Sequence, residues 1–207
     1  MGISERKEKE RQARRTRILN AGVRIFARYG YHQASMDLIA EEAELGKSTL
    51  YYYYKSKESL LLGILTQGIK EFFEQLEKTF SLQNDPLEKL STTIDQSVAF
   101  FERHPDYFKL YMYLNVHPSF RKKIFRQIHP LLTQKIAMIG QVFQEGQEQG
   151  CIRDDIPANQ LLSLFGSLVM GMGIFSGAHK KTEGLKQQAQ YVKEVFFQGV
   201  KKPSNGT

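Results

Sequence analysis

The chain has 207 residues, with 29 Lys/Arg against 22 Asp/Glu for a net charge of +7, and its 14 Phe and 10 Tyr are enough to bury a core. The positive balance suits an anionic partner: nucleic acid, an acidic membrane surface or an acidic ligand. A single cysteine, Cys151, excludes an internal disulfide and fits a reducing, cytoplasmic setting.

Read in chain order, the N-terminal stretch MGISERKEKERQARRTR is charged and has no apolar run behind it, unlike a signal peptide. Residues 1–60 hold 12 Lys/Arg and 8 Asp/Glu, so much of the excess charge sits early. Ile18, Ala21, Gly22, Ile25, Phe26 and Tyr29 form one stripe of an amphipathic first helix, with Gly30 expected at its end. Ser35 predicts the N-cap of a short second helix carrying Leu38, Ile39 and Ala43, and Leu45 and Gly46 make the turn out of it. A third helix starts near Lys47 and must be short, because Ser56 followed by Lys57 and Glu58 is a new N-cap.

The apolar stripe from Leu60 through Ile64, Phe72 and Leu76 to Phe80 predicts a fourth helix of about six turns, closed by Asn84, Asp85 and Pro86. Further helices are expected at 86–103, 105–116, 118–149, 157–177 and 183–201. Strand signals are nearly absent, so the fold class is all-α. The three His-Pro pairs at 104, 117 and 129 stand too far apart for helical metal-ligand spacing, and no metal is expected. No Gly-rich phosphate loop and no nucleophile with a placed base appear, so neither enzyme chemistry nor a cofactor is implied.

The run from Ile156 to His179 contains no Asp, Glu, Lys or Arg and is long enough to span a bilayer. Asn159, Gln160, Ser163, Ser167 and its glycines dilute it, which favours a fully buried helix and no membrane. A membrane-surface binding module, using the basic arm and this helix, is the alternative reading.

The stretch STLYYYYKSKESL, residues 48–60, sits on the third of three clustered helices, the layout of a helix-turn-helix DNA reader. At ~100° per residue the four tyrosines fan around the helix, so Leu50 and Tyr54 face the other two helices while Tyr51 and Tyr52 point elsewhere. Lys47, Ser48 and Thr49 are of the type that reach base edges, and Lys57 would add a phosphate contact at a helix N-terminus.

The stretch ILNAGVRIFARYGYHQASMDLIAEEAELGKSTLYYYYKSKESLL resembles the N-terminal signature of the TetR family of bacterial transcriptional regulators. The resemblance implies a DNA-binding domain at 1–58 and an all-helical ligand-binding and dimerisation domain at 59–207. It implies that Ser35 caps the second helix and touches phosphate, that Lys47, Ser48, Thr49 and Tyr51 face bases, that Tyr52 and Tyr53 meet sugar-phosphate, and that Lys57 meets a phosphate. Glu44 stands where the family has a turn glycine and Gly46 where it has a serine cap. Gly46 is therefore expected to take the left-handed conformation in place of Glu44.

The expected partners are an inverted-repeat operator in double-stranded DNA, a small apolar or amphipathic effector, and a second copy of the chain. Candidate pocket walls are Phe72, Phe73, Phe100, Phe101, Tyr107, Phe108, Tyr111 and Tyr113, more than half of them expected to be core. Ser163, Ser167, Gly171, Tyr191, Val195 and Phe196 are the expected dimer interface.

Overall fold

The structure, a computed structural model, describes residues 2–82, 84–177 and 183–201. Among these residues it is all-α: α1 (Ile3–Gln33), α2 (Met36–Glu42), α3 (Lys47–Tyr53), α4 (Lys57–Phe80), α5 (Pro86–Arg103), α6 (Pro105–Val116), α7 (Pro118–Glu148), α8 (Ala158–Gly177) and α9 (Glu183–Val200). Proline opens α5, α6 and α7, where its missing N–H costs no helical hydrogen bond. Asp85 caps α5 by accepting from the Leu87 N–H at 2.9 Å. Pro130, of the third His-Pro pair, lies inside α7 without ending it.

The helices pack as two compact units: Met1–Gly68 with Lys109–Ile128, and Ile69–Phe108 with His129–Thr207. Packing explains why the first unit takes in residues on both of these stretches. Leu60, Leu61 and Ile64 of α4 are fully buried, and α4 meets α1 at Gly22, where a Cβ would stand 2.9 Å from Ile64 Cδ1. From the other stretch, Leu110, Leu114 and Ile124 are buried, and Phe120 lies 4.5 Å from the Tyr31 ring of α1. Glu58 accepts from Lys123 Nζ at 2.6 Å and Gln127 Nε2 at 3.2 Å; the lysine's hydrogen bond holds its carboxyl below the usual range.

Ile18, Ala21, Ile25 and Phe26 form the buried stripe of α1, but Tyr29 is exposed, with the Arg28 guanidinium 5.9 Å from its ring centre. Gly30 kinks the helix instead of ending it: at φ 74 and ψ 162 it leaves the helical region, and the chain turns helical again to Gln33.

The turn after α2 corrects the expectation for Gly46. Glu44 itself is left-handed at φ 53, while Gly46 is extended at φ −64 and ψ 146 as the N-cap of α3. The hydrogen bonds explain why: the Glu44 N–H reaches Glu41 O at 2.9 Å and the Leu45 N–H reaches Ala40 O at 3.0 Å, a wrap that requires positive φ at its first residue. The end of α7 makes the same wrap, Gly150 to Gln147 and Cys151 to Gly146, with glycine at φ 72. Glu44→Gly is therefore expected to stabilise the first unit by roughly 1 kcal/mol, read as a higher urea midpoint at unchanged m-value.

The second unit has its own core, in which Phe73, Leu76, Leu90, Ile94, Phe143 and Phe165 are buried. The charge-free run becomes the one-sided helix α8, burying Leu161, Phe165, Val169 and Met172 and exposing Leu164 and Leu168. Among the described residues no helix is long and apolar enough to cross a membrane. Cys151 follows the α7 turn, and burial, then Asp85, pushes its thiol up, which favours the unreactive protonated form.

Candidate nucleic-acid interface and effector cleft

Helix α3 is seven residues long, too short to persist unaided, and is held from one side. Leu50 is fully buried and Tyr54 is 7% exposed. The Tyr54 hydroxyl accepts from Arg15 Nε of α1 at 3.2 Å, and the ring covers Gly63 of α4, where a Cβ would lie 2.6 Å from Tyr54 Cε1. With that face fixed, Lys47, Ser48, Tyr51 and Tyr52 are exposed together, and Thr49 and Tyr53 flank them half-buried. Tyr52, at 71%, is the most exposed of the four tyrosines, its ring edge-on to Tyr53 at 5.4 Å.

Ser35 caps α2, its Oγ accepting from the Leu38 N–H at 3.1 Å. Ser56 caps α4 in a reciprocal pair, its Oγ accepting from the Ser59 N–H at 3.1 Å while Ser59 Oγ accepts from the Ser56 N–H at 3.0 Å.

Two features escaped the sequence reading. Asp37, in the first turn of α2, holds Lys47 Nζ at 2.6 Å, so a carboxylate stands beside the expected base-reading lysine. Lys57 has another occupation: its ammonium donates to the carbonyls of Tyr31 at 2.7 Å, His32 at 3.1 Å and Ala34 at 2.7 Å, and lies 4.8 Å from the Tyr31 ring centre. All three donors are thus spent on orphan carbonyls at the end of α1. Lys55 is the exposed lysine of the pair, and the KSK spacing alone could not tell the two apart.

The second unit contains a small cleft of about 70 Å³ between α4 and α5, lined by Glu71, Phe72, Gln75, Gln96, Phe100 and Arg103. Phe72 and Phe100 stand edge-on at 5.6 Å. Glu71 also meets His104 Nε2 at 3.1 Å. Of the other expected wall residues, Phe73 is buried in the core and Phe101 packs against it, while Tyr107 lies 5.9 Å from Phe100. The side chains of Phe108 and Tyr111 lie outside the described residues. Tyr113 belongs to the first unit, beside His117 at 4.4 Å, so it is not a wall of this cleft. Among the described residues no group of three or more metal-ligating side chains occurs.

The Thr79 hydroxyl donates to Gln75 O at 3.0 Å and so accepts from Gln96 Nε2. That fixes the Gln96 amide, whose Oε1 is buried and has no hydrogen-bond partner among the described residues.

On the outer side of this unit, Ser163, Leu164, Ser167 and Leu168 of α8 and Tyr191 and Val195 of α9 are exposed, with Gly171 half-buried beside them. Phe196 does not join them. It is buried in the core, 5.1 Å from Phe165 and 6.3 Å from Phe143, because its side of α9 faces inward.

A short helix held by one face on a three-helix head, joined to a larger helical unit, is the layout of a helix-turn-helix transcriptional regulator. The chain belongs to the TetR family. Residues 18–64 match the model of bacterial regulatory proteins of the tetR family, and residues 86–183 that of the tetracyclin repressor-like C-terminal domain. It is 31% identical over 156 residues to the HTH-type transcriptional repressor SCO4008 of Streptomyces coelicolor, covering 74% of each chain. It is 28% identical to the HTH-type transcriptional repressor NicS of Pseudomonas putida, covering 76% of this chain and 75% of the other. Its fold matches the crystal structure of the transcriptional regulator FadR from Bacillus subtilis in complex with stearoyl-CoA, with a TM-score of 0.79 at 20% identity, over 89% of this chain and 98% of that one.

Proposed function

We propose that the protein is a dimeric repressor that binds an inverted-repeat operator and leaves it when an amphipathic small molecule enters the second unit. The observation that carries this reading is the sidedness of α3: Leu50 and Tyr54 are buried while Lys47, Ser48, Tyr51 and Tyr52 face outward together. In the major groove such a face offers phenol and hydroxyl groups to base edges and phosphates, and ring edges to thymine methyls. Ser35 and Tyr53 fit sugar-phosphate contacts at the margin, and Thr49 fits a base contact. Lys55, exposed while the Lys57 ammonium is occupied, fits a phosphate contact better than Lys57.

Two copies are joined through the exposed stripe of α8 and α9, where Leu164, Leu168, Tyr191 and Val195 would be covered and Ser163, Ser167 and Gly171 allow close approach. The effector enters at Phe72 and Phe100. Its polar end carries a donor for Gln96 Oε1, the acceptor left without a partner. The cleft is below the usual ligand-pocket range of roughly 300–1,000 Å³, so α4 and α5 separate as the effector enters.

The test is selection of genomic fragments by the purified protein at near-physiological salt, followed by sequencing. A short inverted repeat among the bound fragments is the expected result. Random fragments, or a stable monomer by sedimentation at micromolar concentration, would remove the reading.

A further inference from the structure

The three reading helices are electrostatically balanced: residues 18–60 hold five Lys/Arg and five Asp/Glu. The positive excess of the first 60 residues lies wholly in residues 4–17, which hold seven Lys/Arg against three Asp/Glu. A reader of DNA draws most of its sequence-independent affinity from cations that displace counterions, and the three reading helices themselves have no surplus of them. Lys47, on the outward face of α3, is already committed to Asp37.

Residues 4–17 are part of α1, continuous with its buried half. Every side chain from Ser4 to Arg17 is exposed, so nothing among the described residues covers this stretch. At ~1.5 Å per residue it projects about 20 Å beyond Ile18, where burial begins. Its acids are answered locally: Glu10 pairs with Arg6, Glu8 with Arg11, and Glu5 accepts from the Gly2 N–H. Lys7, Arg14 and Arg17 have no ion-pair partner among the described residues, and spacings of seven and three place them on one side of the helix. The arm is also tied to the reading helix, because Arg15 Nε donates to the hydroxyl of Tyr54, the C-cap of α3.

We propose that the α1 arm is a second nucleic-acid contact, in which Lys7, Arg14 and Arg17 meet the phosphates of the duplex flanking the site read by α3. It supplies affinity and carries no sequence preference, since contacts to phosphate do not read the bases. The proposal rests on the reading of α3 as a DNA reader.

The test compares the full chain with Lys7→Gln/Arg14→Gln/Arg17→Gln, a change that keeps good helix formers in the arm. A second variant of equal charge, Lys70→Gln/Lys122→Gln/Arg126→Gln, removes exposed cations outside the arm. Binding to the selected operator and to an unrelated duplex is measured across a salt series. The arm variant is expected to flatten the logarithmic salt dependence by about two to three units on both duplexes, at ~0.9 per phosphate lost, and to keep the ratio between them. An unchanged slope overturns the proposal, as does an equal flattening in the charge-matched variant. So does loss of binding to phosphatidylglycerol vesicles with DNA binding intact, which would assign the arm to a lipid surface. If the parent binds no duplex in a salt-dependent way, the reading of α3 fails first and is identified separately.

Discussion

Leu50→Ala is expected to cost the first unit about 3 kcal/mol, the largest loss available from one substitution on α3. Leu50 is fully buried, and it joins both ends of the short helix: its N–H donates to Gly46 O at 3.1 Å and its carbonyl accepts from the Tyr54 N–H at 2.9 Å. Seven residues cannot fund their own helix nucleation, so the helix exists because this side chain docks. Denaturant titration should give a lower midpoint, and operator binding should fall with it. Tyr52→Ala, on the opposite side, is the contrast: stability should stay within about 0.5 kcal/mol while operator affinity drops. Equal stability losses in both variants would mean that α3 is not held by one face.

Lys57→Met is expected to destabilise the same unit by about 2 kcal/mol, discounted from three charge-assisted bonds because the site is partly open to water. The Tyr31, His32 and Ala34 carbonyls would lose their shared donor, and the Tyr31 ring its cation. Arginine should not rescue, since a planar fork cannot converge on three carbonyls as a compact ammonium does. The slope of operator binding against salt should be unchanged. A fall of about one unit without loss of stability would return Lys57 to the phosphate role that its position suggested.

Helix boundaries were legible because the residues that set them act locally. Ser35 caps within three residues, and prolines at 86, 105 and 118 fix the helices they open. The carbonyl partners of Lys57 were not legible because they lie 23 to 26 residues away, and nothing in the KSK spacing marks which lysine turns inward. Glu44 was misread because residue preference argued against positive φ, yet the two backbone hydrogen bonds closing α2 demand it there. The aromatic walls were half legible. Phe72 and Phe73 are the same residue type one position apart, and only the packing of α4 separates the one at the cleft from the one in the core.

The first unit is assembled from two stretches of chain that are forty residues apart, and this limits how such a head can be inherited. A graft ending at Gly68 would carry Tyr31 without the Phe120 ring against it, and Glu58 without Lys123 and Gln127. Exchanging operator specificity between relatives by recombination at a single crossover would break those contacts. Point changes on the outward face of α3 leave them whole. Substitutions at Ser48, Tyr51 and Tyr52 would therefore alter the proposed reading face without disturbing the contacts that join the two stretches.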